Sequence, residues 1–551
     1  MSNINIVALG GLDEKGKNLY CIEVDDRFLL VHCGLKYPED TQYGVDFIIP
    51  DFSYLKENED RIVGLILTHA HDDVMDGLPY LLKEMDIPVF GPKLCEYALK
   101  DRVENLNFTQ LPRNGVTDVN GFTVTTFGLT HSIPGALGIA IDTPDGKIVI
   151  CEQFVVDFDV KDQAFYCDYG AISDIGKNNV LCLMMEAAYS DKVGFTSPKN
   201  RITNMIRPYF EDAKGRIFIT SYNQNFMRIE EIIALAKEFK YSIYFYNEKL
   251  RKNLRMLEES GYYTMPRGME ISPDKFNNDI ENVVILVSES GQEIFEIMSR
   301  LATGEEDDIQ LRDSDTVIIA SPVVPGSEKR ASSMEDELYK DNVTVYKLSS
   351  RDVLSFHPST DDLKMMLNLL KPKYFIPTMG EYINFVQAAN TAMTIGYTPD
   401  RIIILDNGQV ANFENGTLKN CSTFVKTDET MVGEDNGKNI TSFVLRDRET
   451  LSTDGVIIIG VAIDYKTKKV IAGPDIQSRG VIYIKDSEYV IKNISKMTTD
   501  LIEEEVANGT YDNMAVRAKL REDVAYYVLR ETGKRPMILP ALLEINLPDN
   551  Y

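Results

Sequence analysis

At 551 residues the chain is too long for one hydrophobic core and should divide into two to four domains. A formal net charge of −27 excludes a generally basic nucleic-acid surface, so any RNA or DNA must meet a local basic channel. No apolar run approaches the roughly 20 residues of a membrane helix, and Met1-Ser2-Asn3-Ile4-Asn5 is no signal peptide, so a cytoplasmic protein without membrane contact is expected.

In chain order, Ile4 to Leu9 reads as a strand ending at Gly10-Gly11, and Asn18–Val24 with Arg27–Val31 as a hairpin around Asp25-Asp26. The apolar run Ile62–Leu67 reads as a strand, followed by a turn and a helix from Leu78. Strands continue through Phe122–Phe127 and Gly138–Asp142, with a turn at Thr143-Pro144-Asp145-Gly146. From about residue 198 to 345 strands (216–220, 283–287, 316–320) alternate with helices (229–239, 293–301), which predicts an inserted parallel sheet. Strands return at 373–377 and 401–405. A polar, glycine-containing stretch follows as a linker, and a last unit mixes strands (455–463, 480–484) with helices (499–508, 514–530). The seven cysteines are scattered without a Cys-x-x-Cys pair and read as reduced, buried thiols.

The five histidines are His32, His69, His71, His131 and His357. Two of them fall in Thr68-His69-Ala70-His71-Asp72-Asp73-Val74, at a strand end where side chains can converge on a metal. This stretch resembles the His-x-His-x-Asp-His signature of the metallo-β-lactamase superfamily, with Val74 in place of the last histidine. Further blocks are similar to the ribonuclease J family: Ala8-Leu9-Gly10-Gly11, Cys33-Gly34-Leu35, the run Gly44 to Phe52, Thr130-His131-Ser132-Ile133-Pro134, Leu367 to Pro377, Gly380-Glu381-Tyr382 and Arg535 to Pro540. The likeness extends over nearly the whole chain and is closest to the degenerate second paralogue found beside an active copy in Gram-positive bacteria.

That resemblance implies an α/β chain: a metallo-β-lactamase αββα sandwich in two parts (residues 1–200 and 346–425), interrupted by a β-CASP domain (201–345). A linker (426–445) and a small α+β C-terminal domain (446–551) would follow. It implies a 5′-to-3′ exoribonuclease, sometimes an endonuclease, of mRNA decay and rRNA maturation. Active members hold two zinc or manganese ions around an activated water, which suits phosphodiester hydrolysis. Implied partners are RNA, an active ribonuclease J paralogue in a hetero-oligomer, a second copy of the chain when alone, and an RNA degradosome.

The expected ligands survive unevenly. His69, His71, Asp73 and His131 remain as metal residues, but four positions are degenerate. His32 stands where the family has an aspartate, Val74 where it has a histidine, Gln153 where an aspartate bridges both ions, and Met379 where a histidine precedes Gly380. Valine cannot ligate, a neutral amide is a poor bridge between dications, and a thioether suits a hard metal badly. Glu152, next to Gln153, would point to the opposite side of a strand. One ion per chain at most is expected, held by the three histidines with water in the fourth position, the alternative being a metal-free relic.

For residual catalysis, Asp73 would position water and His357 would act near the scissile phosphate. The RNA-binding segment is Val353, Leu354, Ser355, Phe356 and His357, in which Phe356 and Pro358 replace the glycine and alanine of a Ser-Gly-His-Ala motif. Arg228 matches the family and is either an RNA contact or a solvated helix charge. Ser359 and Asp362 form a capping box for a helix from Thr360. Glu289 places a carboxylate where the family's Gly-Ser-Gln-Gly-Glu would cradle a phosphate. Two functions stand: a weak ribonuclease partnering an active paralogue, or a non-catalytic scaffold of an RNA-degradation complex.

Overall fold

The structure, a computed structural model, describes residues 2–39, 42–196, 201–289, 291, 293–306, 308–323, 327–340, 342–348, 356–433, 442–481 and 487–546. They fall into two compact units, one of residues 1–36 and 49–429, the other of 37–48 and 430–551.

In the first unit, Asn3–Gly10 pairs antiparallel with Leu19–Val24 on one side and Gln409–Glu414 on the other, joining segments far apart in sequence. Leu19–Val24 then pairs with Arg27–Val31 through Asp25 and Asp26, whose φ angles of 48° and 64° make the tight primed turn that a two-residue hairpin requires. Among the described residues this sheet has eight strands, continuing through Ile62–Ile66, Val89–Gly91 and Phe108–Gln110. A second sheet has six, in the order Tyr374–Thr378, Val180–Glu186, Gly146–Cys151, Leu137–Thr143, Phe122–Gly128 and Gly115–Val119. Val180–Glu186 is buried along its whole length and parallel to both neighbours, as its unbroken apolar run requires.

One core joins the two sheets: Ile6, Ile22, Leu29 and Ile66 of the first meet Val124, Ile139, Val149, Leu183 and Phe375 of the second. Helices Thr360–Leu370 and Tyr382–Thr394 add Leu363, Met366, Leu367, Phe385 and Ala388 to it. This is the metallo-β-lactamase αββα sandwich.

Between its halves lies a parallel five-stranded sheet, ordered Ser242–Phe245, Val283–Val287, Ile217–Thr220, Thr316–Ile319 and Thr344–Lys347. Two apolar clusters accompany it, one built around Ile219, Ile229 and Leu286, the other around Ile285, Phe295 and Met298. Arg216 and Asp315 stand one residue before adjacent strands. Their fully buried side chains pair at 2.6 Å, and the other guanidinium hydrogens reach Asn278 and the Gln310 carbonyl.

Two strand expectations change. Residues 401–405 do not form a strand: a short 3-10 turn, Pro399–Arg401, leads into a single bridge between Ile402 and Phe375, and the chain then leaves the sheet edge. At 480–484, the strand Val470–Arg479 ends just before Gly480, and residues 482–484 lie outside the described residues.

In the second unit, Val456–Asp464 lies between Val470–Arg479 and Met537–Ile545. Helices Ser487–Ala507 and Asn513–Thr532 cover one face, packing Ile494, Ile502, Leu520 and Val524 on Ile457, Ile459 and Ile463. Of the stretch 426–445, residues 434–441 lie outside the described residues.

Candidate metal centre

Loops at the ends of the sandwich strands bring the site together. His32 follows Arg27–Val31, His69 and His71 follow Ile62–Ile66, His131 follows Phe122–Gly128, and Gln153 follows Gly146–Cys151. Asp73 and Val74 sit in the single helical turn Asp72–Met75. That turn is pressed on the loop after His32, where a Cβ at Gly34 would lie 1.7 Å from the Asp73 carbonyl oxygen. Asn18 locks the same carbonyl from the other side through its Nδ2, at 2.8 Å. Gly34→Ala is therefore expected to lower stability by about 1–3 kcal/mol, the usual penalty of overpacking. An unchanged urea midpoint would show that the turn can retreat freely.

His69, His71 and His131 present ring nitrogens that all lie within 4.8 Å of one another. The Gln153 side chain reaches into their midst. Its Oε1 lies 2.9 Å from His69 Nε2, 2.8 Å from His71 Nδ1 and 3.2 Å from His131 Nε2. Its Nε2 donates to Asp73 Oδ2 at 2.6 Å. With the amide nitrogen directed at Asp73, the amide oxygen faces the rings. The Gln153 backbone N–H is held by Glu186 Oε2 at 2.8 Å.

Burial sets the electrostatics. It drives the His69 and His131 pKa values well below the ordinary histidine range, reinforced by the neighbouring rings, and lowers that of His71. Burial also pushes the Asp73 carboxyl well up, helped by Asp72 and Glu186. Glu152 turns away from the triad toward His32, with Oε2 3.2 Å from His32 Nδ1 and Oε1 accepting from Thr378 Oγ1. Burial raises Glu152 to about 8 and lowers His32 to about 3.

The three histidines supply neutral nitrogen donors suited to one ion of the zinc type. Val74 is 0% exposed and Met379 6% exposed, and neither side chain offers a ligand suited to a hard ion. The backbone nevertheless keeps an unusual shape at these positions. His32, Gln153 and Met379 have φ of 66°, 49° and 50°, a region that aspartate and histidine enter more readily than glutamine or methionine.

The expected RNA-binding residues are placed unevenly. Val353, Leu354 and Ser355 lie outside the described residues. Phe356 is buried in a small cluster with Val155, Val160, Phe165 and Met227. His357 is partly exposed. Its Nδ1 meets Glu186 Oε1 at 2.5 Å, and its ring stacks on Tyr189 at 4.9 Å between centroids. Glu186 thereby ties His357, 171 residues further along the chain, to the Gln153 backbone, a link that no local pattern announces.

Arg228 is not a solvated helix charge. It is 3% exposed, its guanidinium lies 5.5 Å from the Phe356 ring, and burial lowers its pKa to about 10. Asn225 beside it caps the helix Phe226–Glu238. The Ser359 N–H donates to Asp362 Oδ2 at 2.8 Å, as the capping box predicts. Glu289 is buried, accepting from Asn223 Nδ2 at 3.0 Å with Lys249 Nζ at 3.3 Å. All seven cysteines are free, six of them buried. No described helix is long and apolar enough to cross a membrane.

Comparison with known proteins agrees with this architecture. Residues 214–338 match the family described as "Ribonuclease J, beta-CASP domain", and residues 443–545 match "Ribonuclease J C-terminal domain". Proteins named Ribonuclease J 2 from Staphylococcus epidermidis and Staphylococcus aureus are each 29% identical to this chain, the match covering 98% of both sequences. A crystal structure of a protein of unknown function from Enterococcus faecalis V583 shares the fold, with a TM-score of 0.50 and 14% identity over 75% of this chain and 100% of that one. With the sandwich, the inserted parallel sheet and the C-terminal unit in place, the chain carries the ribonuclease J β-CASP and C-terminal domains and is similar to ribonuclease J proteins over nearly its whole length.

Proposed function

We propose that this chain is a ribonuclease J-type subunit with a reduced hydrolytic site, acting on RNA beside an active paralogue in mRNA decay and rRNA maturation in the cytoplasm. The reading rests chiefly on one observation: the amide of Gln153 stands among the three histidines and Asp73, where hydrolysis would need an anionic bridge. The buried Val74 and Met379 support it, since neither can replace a lost histidine.

In the catalytic form of this proposal, His69, His71 and His131 hold one zinc or manganese ion. The chemistry such an ion supplies when bound is a lowered pKa for water and polarisation of a phosphoryl oxygen. Asp73, on the same side of the site, accepts a hydrogen bond from the attacking water and orients it. His357, braced by Glu186 and stacked on Tyr189, offers a ring nitrogen to the phosphate. Phe356, turned into its cluster, keeps the backbone there from approaching as closely as a glycine would allow.

The test is digestion of a 5′-monophosphorylated RNA with manganese by protein prepared free of any paralogue. A slow activity that His69→Ala/His71→Ala abolishes supports the catalytic form. Hydrolysis at the rate of an ordinary two-metal nuclease would overturn the reading. No hydrolysis, with the same response from the double variant, leaves the scaffold: a surface for the active subunit and for RNA. Co-purification with the active paralogue, unchanged in the double variant, is expected in either case.

A further inference from the structure

We propose that Gln153 takes the place of a metal ion in this chain, and that His32 and Thr68 are positioning residues that support the His69 tautomer the amide requires. The inference rests on the ligand reading above but not on any rate of hydrolysis.

The argument is one of hydrogen-bond accounting. Asp73 accepts from the Gln153 amide nitrogen at 2.6 Å, so the amide oxygen points at the rings and can only accept from them. His131 Nδ1 accepts from the Ile133 N–H at 3.3 Å, which leaves the proton of a neutral ring on Nε2, facing Gln153 Oε1. His69 must likewise carry its proton on Nε2. Its Nδ1 is then bare and must accept from the Thr68 hydroxyl, 2.8 Å away. That hydroxyl has a single hydrogen. It therefore accepts in turn from His32 Nε2–H, also at 2.8 Å.

A one-way chain results: His32 to Thr68 to His69 to Gln153 to Asp73. It is buried along most of its length, and it gives both ring nitrogens of His69 a partner. An aspartate at residue 32 or 153 could not build it, because an ionised carboxylate donates nothing. Histidine at 32 supplies the first donor, and glutamine at 153 both accepts from the rings and donates to Asp73. The two replacements thus act together. For His69 to offer Nε2 as a ligand, the chain must run backwards, with the proton on Nδ1 and the Thr68 hydroxyl turned toward His32.

The experiment uses the full-length chain with nitrogen-15 in its histidines, only five of which contribute imidazole signals. Proton–nitrogen correlation spectra should show His69 and His131 as Nε2–H tautomers. Thr68→Val, nearly the same shape without the hydroxyl, should keep the Nε2–H tautomer but move the His69 Nδ1 signal toward that of a nitrogen with no hydrogen-bond donor, which a merely structural role of Thr68 would not produce. The thermal midpoint of the native chain should move by less than about 2 °C with chelator or with about 100 µM zinc. In Gln153→Asp, zinc should raise the midpoint by about 3–8 °C, because ligand binding to the folded state alone is stabilising.

An Nδ1–H tautomer at His69, or a native midpoint that falls on chelation, overturns the inference. If Gln153→Asp does not fold, the native spectra and chelator response still decide. A native chain that is silent on RNA yet binds zinc with a rising midpoint would sink this inference and spare the proposed function. Rapid hydrolysis by a chain with the expected tautomers before metal is added would do the reverse.

Discussion

The variant carrying His32→Asp, Val74→His, Gln153→Asp and Met379→His together is expected to hydrolyse a 5′-monophosphorylated RNA in manganese at least about a hundred times faster than the native chain. The magnitude follows from the loss of about a hundred- to a thousand-fold when a single electrostatic element is removed from an active site. The backbone is ready for the change. Residues 32, 153 and 379 already hold φ of 66°, 49° and 50°, where aspartate and histidine are among the better tolerated side chains. Val74 is the hardest position, because it is 0% exposed and a histidine there must find room beside the loop at Cys33 and Gly34. Elemental analysis of the purified variant checks the cause. Two ions bound with no gain in rate would show that the proposed reduction lies elsewhere, in the RNA-binding segment.

A second large effect concerns stability. Arg216→Leu should destabilise the parallel-sheet insertion by about 3–5 kcal/mol, the cost of leaving a buried charge without its partner. All five guanidinium N–H groups are used, on Asp315 Oδ1 and Oδ2, the Asn278 carbonyl and side chain, and the Gln310 carbonyl. Removing them strands Asp315 at 0% exposure between the starts of two adjacent strands. Arg216→Leu/Asp315→Leu should recover much of the loss, since an apolar pair carries no desolvation penalty. Urea unfolding followed by hydrogen exchange in the strand Ile217–Thr220 measures both. A double variant as weak as the single one would mean that the bonds to Asn278 and Gln310, not the ion pair, hold this corner.

Much of the architecture is visible in the sequence because it is periodic or local. The Asp25-Asp26 hairpin, the buried run at Val180–Glu186, the alternation of strands and helices through the insertion and the capping box at Ser359 each declare themselves within a few residues. The first half of the site is equally plain, since His69, His71 and Asp73 share one loop. What the sequence conceals are meetings across long separations. Gln153 reads there only as a missing aspartate, whereas in the fold its amide engages three rings from two other loops. His32 reads as a lost charge, yet it faces Glu152, its partner from beyond the strand end. Arg228 looks like an ordinary helix charge until the fold buries it beside the Phe356 ring. The apolar run 401–405 is misleading for the opposite reason: it packs Ile403 and Leu405 into the sandwich core without joining the sheet ladder.

The amide among the histidines also bears on how the chain would live in a cell. A nuclease whose loops are pinned by bound ions stiffens or slackens with the supply of those ions. Here the pin is part of the polypeptide, made at the ribosome in fixed stoichiometry with the loops it joins. A chain of this kind would keep the shape of these loops during metal starvation, with or without an ion to be had.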